Sequence, residues 1–359
     1  MKKISSLILA LILILSTLPI ATALNYNGFV YVDNGDGTCS ITGYNDFYAE
    51  DVVIPSKIKD LTVVSITGFR QKNSIRYVSI PSTVTEIGDM AFYSCKKLYS
   101  VAIGTGVKTI GEKAFNGCVE LTSVNLRNTE HLGDYAFYGC SKLEWVDFGA
   151  ALKHIGTRAF WSDKKINYIK FSPTLETIGD YAFSNCELLP SPVFPDSLKS
   201  IGTSAFSNCI AIEALTFGTG ELEIGAYAFE NCTLLTEVTI PENVTYIGRN
   251  AFAFRETDST VFTHTVKINC HLGSAGVDYS VRNNAPVYII ELDKTINSFG
   301  DIDGDGAVTT KDAKRALRLA AKMNKKVTDD MLLLGDLNQN GRFDVEDANI
   351  ILQRAAGII

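Results

Sequence analysis

The chain has 359 residues, 46% hydrophobic, 20% charged and 10% aromatic, fractions that belong to a folded protein and exclude a disordered one. Basic residues number 33 against 40 acidic, a formal charge of −7, which argues against a basic nucleic-acid-binding surface. Residues 1–23 open with Lys2 and Lys3, run through an apolar stretch and reach Ala21, Thr22 and Ala23 before Leu24. That order predicts a secretory signal peptide with a small-residue cleavage site. Its removal leaves 31 basic residues and a charge of about −9. No later apolar run approaches the roughly 18 residues of a membrane span, so the expected product is secreted and extracellular, without a membrane span.

Residues 24–50, with Asp36 and Gly37 as a turn signal, predict an N-terminal cap of short strands. The segment from Asp51 to Ile66 looks like a degenerate first coil, so that 24–68 form cap and first coil together. One phrase then recurs eight times, first as Ile87-Gly88-Asp89-Met90-Ala91-Phe92 and last as Ile247-Gly248 through Phe252. Its glycines stand at 88, 111, 133, 156, 179, 202, 225 and 248, at intervals of 22 or 23. A fixed period of this size means a solenoid, because one coil cannot bury its own apolar face and stacked coils share a core. Apolar residues lie ten, thirteen and fifteen positions after each glycine, as in Leu98, Val101 and Ile103. The last pair alternates as a short strand does, while Ala and Phe at plus three and plus four pack the other side.

Six cysteines, Cys95, Cys118, Cys140, Cys186, Cys209 and Cys232, fall seven residues after a repeat glycine, with Asp163 in that place in one coil. Stacked side chains of this kind stand one rung apart, beyond the roughly 3.5–4.5 Å between Cβ atoms that a disulfide requires. The expectation is a column of free buried thiols acting as compact apolar groups. Cys39 and Cys270 lie in opposite caps, too far apart to pair.

The recurring phrase resembles the BspA-type leucine-rich repeat, over about residues 50–290. The resemblance implies a solenoid of about eight 23-residue coils over 69–268 and a C-terminal capping coil over 269–292; Val266-Lys267-Ile268, where the repeats end, with Gly273-Ser274-Ala275 and Pro286 through Ile290, look like the family's closing coil. The last repeat departs from the pattern: its strand arrives about five residues late, so 255–260 read as a bulging loop.

After a linker over 293–300 the period stops. Two segments, 301–312 and 336–347, each place oxygen-bearing side chains at loop positions 1, 3, 5 and 12, glycine at 6 and an apolar residue at 8. Calcium takes six to eight oxygens, and this spacing wraps them around one ion with the glycine allowing the bend. A helical pattern follows each loop, with Ala313, Ala316, Leu317 and Ala320 in the first and Ala348, Ile351, Leu352 and Ala355 in the second. Loop and helix, twice over residues 301–359, resembles a type I dockerin, the small α-helical calcium-binding module that plugs into a cohesin of a cellulosome scaffoldin. The whole chain is thus α+β.

By position, the dockerin resemblance makes Asp301, Asp303, Asp305, Asp312, Asp336, Asn338, Asn340 and Asp347 the side-chain ligands of two calcium ions, with Ala307 and Arg342 offering carbonyls. It assigns cohesin contact to Thr310, Lys311, Leu317, Arg318 and Lys322 in the first half, and to Val345, Glu346, Leu352 and Gln353 in the second. The halves differ in charge and polarity, which argues against two symmetry-related docking modes. A calcium-stabilised module without a cohesin partner is the plainer alternative.

Trp145 and Tyr168 occupy one column, one residue before a strand valine or isoleucine, and alternation points that column away from the core. Exposed rings there could stack on a sugar or grip a protein, or simply shield the stack. His131 and His154 share another column about 5 Å apart; with no clustered partners they read as a solvated turn. No nucleophile, base and orienting group fall together, so no catalytic residue is assigned. The sequence therefore reads as a secreted non-catalytic interaction protein, anchored through its dockerin to a cohesin-bearing scaffold on the cell surface or cellulosome, with the repeats binding a polysaccharide or protein. The alternatives are an adhesin toward host or neighbouring cells, or a scaffold-borne enzyme or enzyme inhibitor.

Overall fold

A computed structural model describes residues 23–255, 262–271, 274–283, 285–289, 294–296, 300–301, 307–320, 337 and 345–355. Residues 1–22 of the signal peptide expected over 1–23, and the greater part of the loop expected over 255–260, lie outside these residues.

Successive coils pair in parallel, each strand residue opposite its counterpart one repeat on. One ladder carries the residues just before the repeat glycine: Thr109 pairs with His131 and Ile110 with Leu132, then His131 with His154 and Leu132 with Ile155. This ladder runs from Thr38–Tyr44 to Val244–Ile247. On its N-terminal side Leu24–Tyr26, Phe29–Asp33 and Thr38–Tyr44 pair antiparallel before the parallel stack begins. A second ladder, at plus twelve to plus fourteen, places Asp51–Val53, Tyr77–Ser79 and Ser100–Ala102 side by side. It continues through Ser123–Asn125, Trp145–Asp147 and Tyr168–Lys170, the bridge of Val193 to Thr216, and Glu237–Ile240, Lys267–Cys270 and Val287–Ile289.

That ladder has eleven rungs, so the solenoid has about eleven turns and not the eight counted from the repeated phrase. The additional turns lie at the ends, where the coil keeps its strand and loses the glycine-alanine-phenylalanine phrase. Eleven rungs at the strand spacing of about 4.8 Å give a stack roughly 50 Å long.

The third side of each coil is built differently. Residues two and six after the repeat glycine hold a left-handed backbone, for example Tyr181 (φ 56°) with Asn185 (φ 62°), and Tyr227 (φ 58°) with Asn231 (φ 59°). Between them the amides at plus two, four and six all donate to carbonyls of the following coil, as in Tyr181 N to Thr203 O at 2.8 Å, Phe183 N to Ala205 O at 2.7 Å and Asn185 N to Ser207 O at 2.8 Å. The left-handed turns let consecutive donors point the same way along the stack. Asparagine and glycine, which tolerate this region best, hold Gly117, Gly139, Asn185, Asn208 and Asn231 of the plus-six column, with the small Ser94 and Ser162 at its other two left-handed places.

Inside, the phenylalanines at plus four, from Phe92 to Phe252, form one continuous stack that Phe69 extends at its N-terminal end, with ring centroids 5.1–5.6 Å apart. Phe148, Phe171 and Phe194 form a shorter stack lying edge-on to it. The six column cysteines are buried and unpaired, as are Cys39 and Cys270. Each column thiol donates to a phenylalanine carbonyl of the preceding turn, from Cys95 Sγ to Phe69 O at 3.0 Å through Cys232 Sγ to Phe206 O at 3.4 Å.

A one-way ladder leaves its last amides without a following coil. A helix, α1 (Ala275–Asn283), crosses that end within the closing coil. The Tyr279 hydroxyl accepts from Phe252 N at 3.0 Å, Asn283 Oδ1 accepts from Asn250 N at 3.1 Å, and Arg282 Nη2 donates to Ile247 O at 2.8 Å. Tyr279 is fully buried, packs edge-on to Phe252, and burial holds its hydroxyl protonated far above the ordinary range.

Beyond the solenoid, α2 (Thr310–Ala320) and α3 (Val345–Ala355) are in contact, with Ala313, Ala316, Leu337, Ala348 and Ile351 buried. Among the described residues no helix is long and apolar enough to cross a membrane.

Tyr279→Phe keeps the ring and strands the buried Phe252 amide, a loss of about 1–3 kcal/mol. Urea unfolding should therefore show a lower midpoint, while Tyr48→Phe, at a side chain 91% exposed, serves as a control with little change.

Candidate functional site

Trp145 and Tyr168 lie on adjacent rungs of the second ladder. Their rings stack at 5.9 Å with planes 17° apart and remain 37% and 42% exposed. Their neighbours in the ladder, Val146 and Ile169, face the core side, so strand alternation turns the rings outward. His131 and His154 stack at 5.0 Å, and His154 Nδ1 lies 2.9 Å from Thr177 Oγ1. Burial, then the neighbouring His131, push the His154 imidazole below its usual pKa, so at neutral pH it is an uncharged, hydrogen-bonded residue of the strand ladder and not the solvated turn expected from the sequence.

The other tryptophan, Trp161, lies on the third side with Arg158, whose guanidinium sits 4.7 Å from the Tyr181 ring and 5.6 Å from Trp161. Arg158 Nη1 also donates to the Tyr135 hydroxyl at 2.6 Å. Beyond Trp161 a hollow of about 330 Å³ opens, bordered by Tyr181, Ser207, Tyr227, Glu230 and Arg255 among others. Sequence reading placed no function here. The available signal is the plus-five column, which reads Tyr138, Trp161, Ser184, Ser207 and Glu230: two serines interrupt a run of larger side chains.

In the C-terminal pair, the capping residue Thr309 donates from its amide (2.8 Å) and hydroxyl (3.0 Å) to Asp312 Oδ2, and its hydroxyl oxygen accepts from Lys311 N at 3.2 Å, which satisfies an amide of the first turn of the helix. Asp347 Oδ1 accepts from Leu337 N at 2.7 Å, which ties the twelfth position of the second loop to its second. Asp301, Asp312 and Asp347 are buried and Ala307 is exposed. Asp303, Asp305, Asp336, Asn338, Asn340 and Arg342 lie outside the described residues, and among those described no group of three acidic, histidine or cysteine side chains forms a metal cluster. Of the positions assigned to cohesin, Thr310 and Lys311 are exposed at the start of α2, Leu317 and Arg318 lie further along it, and Val345, Glu346, Leu352 and the half-buried Gln353 lie on α3. Lys322 is outside the described residues.

The thiols are poor candidates for chemistry. Burial pushes Cys95 up to about 12 and Cys118, Cys140, Cys186, Cys209 and Cys232 well above the ordinary range, and the thiolate is the reactive form. In the same column, burial drives the Asp163 carboxyl far upward, offset only in part by the backbone amides of Cys140 and Gly139. The neutral acid fits a column whose other members are uncharged.

A family model described as the BspA type leucine rich repeat region matches six copies over residues 62–188 and 153–271. The chain belongs to the BspA-type leucine-rich repeat family. Among solved structures, it is similar to a leucine rich cell surface protein from Faecalibacterium prausnitzii A2-165, 24% identical over 64% of this chain and 73% of that one, with a TM-score of 0.53. It is also similar to the T. pallidum leucine rich repeat protein, at 26% identity over 60% and 91% of the two chains and a TM-score of 0.47. A leucine-rich repeat protein from Bacteroides ovatus ATCC 8483 gives 25%, 68%, 84% and 0.43 in the same terms. The first of these shares the solenoid fold; no curated protein matches the chain.

Asp163 binds more protons folded than unfolded between its ordinary pKa and its raised one, so its contribution to stability falls as pH rises through that window. Asp163→Cys should raise the melting temperature, by the equivalent of about 1–3 kcal/mol for removing a buried carboxyl, and the gain should be larger at pH 7 than at pH 4. Thermal melts of both proteins at the two pH values check the sign.

Proposed function

We propose that this chain is an exported, non-catalytic interaction protein: the repeat stack binds a polysaccharide or protein ligand, and the C-terminal pair of loops and helices acts as a dockerin that holds it on a cohesin-bearing scaffold. The observation that carries the second half is the pairing of α2 and α3, each preceded by a segment with calcium-loop spacing and each with a buried aspartate at loop position 12. Carboxylate and carbonyl oxygens at these spacings are hard-cation donors, so the residues present fit two calcium ions. Asp301, Asp303, Asp305 and Asp312, with the Ala307 carbonyl, would hold one; Asp336, Asn338, Asn340 and Asp347, with the Arg342 carbonyl, would hold the other. The ions would brace two loops whose own apolar core is small, presenting Thr310, Lys311, Leu317, Arg318, Lys322, Val345, Glu346, Leu352 and Gln353 to a cohesin.

The first half is supported by family membership and by the exposed Trp145 and Tyr168 rings, which offer flat apolar faces to a ligand. The same features serve an adhesin, and the similar F. prausnitzii protein is named a cell surface protein. Its role on a scaffold is positional, raising the local concentration of the repeat stack near whatever the scaffold is attached to.

Calcium added to the calcium-free full-length mature chain should release heat and increase helical circular dichroism. Immobilised cohesins should then retain the chain with calcium and release it with chelator. Asp312→Ala combined with Asp347→Ala should abolish retention without lowering the melting transition of the repeats. No heat and no calcium-dependent retention on any cohesin would sink the anchoring role.

Panels of plant polysaccharides, matrix proteins and cellulosomal enzymes sort the ligand: retained carbohydrate or protein identifies its class, and altered enzyme rates point to inhibition. Trp145→Ala with Tyr168→Ala should weaken the retained partner at least tenfold with an unchanged melting temperature, and unaltered affinity removes that patch.

A further inference from the structure

The third side of the stack carries a site of a different kind from the flat Trp145 and Tyr168 patch. Left-handed residues at plus two and plus six flank the plus-five residues, so that the plus-five column forms one line along the stack, with Tyr138 and Trp161 half-buried and Ser184, Ser207 and Glu230 buried. From Tyr138 to Trp161 that line is filled by large rings, with centroids 4.9 Å apart. At Ser184 and Ser207 it is not, and at Glu230 it fills again. From Trp161 to Glu230 is three rung spacings, about 14 Å, and the hollow of about 330 Å³ lies between them.

Its floor is polar and internally connected. Ser207 Oγ donates to Glu230 Oε2 at 3.2 Å, Asn208 Nδ2 donates to Ser207 Oγ at 3.3 Å, and Asn231 Nδ2 donates to Asn208 Oδ1 at 3.0 Å. Asn231 Oδ1 in turn accepts from Arg255 N at 2.7 Å. Glu230 is only 5% exposed, and its Oε1 lies 3.1 Å from Arg255 Nε. Aromatic rings flank this floor: Trp161 and Tyr181 on one side, Tyr227 and Phe262 on the other, the last two with centroids 5.6 Å apart.

The lining selects a ligand by chemistry. Among the described lining residues Glu230 and Arg255 are the only charged ones, and they neutralise each other, so an ionic ligand gains no counter-charge. An apolar ligand would cover serine hydroxyls, asparagine amides and a carboxylate with water-facing capacity while returning no hydrogen bonds, which is unfavourable. A neutral polyhydroxylated ring satisfies both surfaces: its hydroxyls donate to and accept from the floor, and its C–H faces lie against the rings. We propose that this hollow is a saccharide-binding site that takes a short stretch of neutral glycan between Trp161 and Glu230. The assignment rests on the reading of the repeats as a ligand-binding module and names the substrate class and the place.

The fold itself supplies the discriminating variant. Tyr138 and Trp161 already stand side by side in the plus-five column, so a tyrosine at 184 extends an existing ring run into the hollow. Di- to tetrasaccharides of glucose, xylose, mannose and galactose, titrated calorimetrically into the full-length mature chain, should give saturable binding to at least one, with a shift in tryptophan emission. Ser184→Tyr should abolish that binding at an unchanged melting temperature, and Glu230→Gln should weaken it at least tenfold. The proposal is overturned if no saccharide binds, or if binding survives Ser184→Tyr. Loss on Trp145→Ala with Tyr168→Ala, but not on Ser184→Tyr, moves the glycan to the exposed patch and also overturns it. Calcium-dependent retention on cohesin, measured on the same samples, is independent of every one of these results, so failure of the hollow and failure of the anchoring role are told apart.

Discussion

Every other feature of the repeat stack depends on how closely one coil's backbone approaches the next. At Gly111, Gly133, Gly156, Gly179, Gly202, Gly225 and Gly248 an added Cβ would lie 2.3–2.7 Å from backbone atoms of the preceding coil, closer than non-bonded atoms come. None of these glycines holds a positive φ, so the requirement is for space and not for an unusual conformation. With the corner closed to that distance, the amides after it reach the carbonyls of the neighbouring coil at 2.7–3.1 Å, and the phenylalanines at plus four fall into stacking contact. A coil that lost its glycine would have to back away, loosening hydrogen bonds and ring contacts together.

The same geometry converts sequence columns into surface lines. A residue type repeated at one place in the period becomes a row of like side chains one rung apart, and a change of type becomes a local feature. The buried rows are kept uniform because an interior at crystal-like density accepts little variation; Asp163 among the cysteines is the exception and carries an electrostatic penalty for it. Rows outside the apolar core vary more, and both candidate ligand surfaces arise from that variation: the exposed Trp145 and Tyr168 where rings replace serines, and the hollow, floored by the buried Ser184, Ser207 and Glu230, where serines replace rings. Ion pairs between consecutive coils, such as Lys164 with Glu187 at 2.6 Å and Lys142 with Glu120 at 2.7 Å, follow the same rule, although exposed pairs of this kind contribute little stability.

Much of this was legible in the amino-acid order because a solenoid repeats its own argument. The glycine spacing gave the period, the plus-seven column gave the buried thiols, and strand alternation gave the outward direction of Trp145 and Tyr168. The number of turns was undercounted because the end coils retain only their strands, such as Asp51–Val53 and Val287–Ile289, and a search for the full phrase passes over them. The left-handed residues were missed although the asparagine, serine and glycine column at plus six records them. Helix α1 left less trace: its role is to return acceptors to the amides of Asn250 and Phe252, a need that exists only once the direction of the hydrogen-bond ladder is known. The hollow is visible only when plus-five residues from four coils are laid side by side.

The two candidate surfaces lie on different sides of one stack, the rings of Trp145 and Tyr168 on the second ladder and the hollow on the left-handed side. A ligand seated at one therefore leaves the other open. Both are held by the same inter-coil spacing, so their separation is fixed by covalent register and not by a hinge. For a polymeric ligand this matters more than either affinity: two sites at a constant distance can engage one chain only if it wraps or branches to reach both, and otherwise hold two chains at once. A rigid stack with binding features on separate sides is suited to bridging, which is also what a module carried on a scaffold would add to its neighbours.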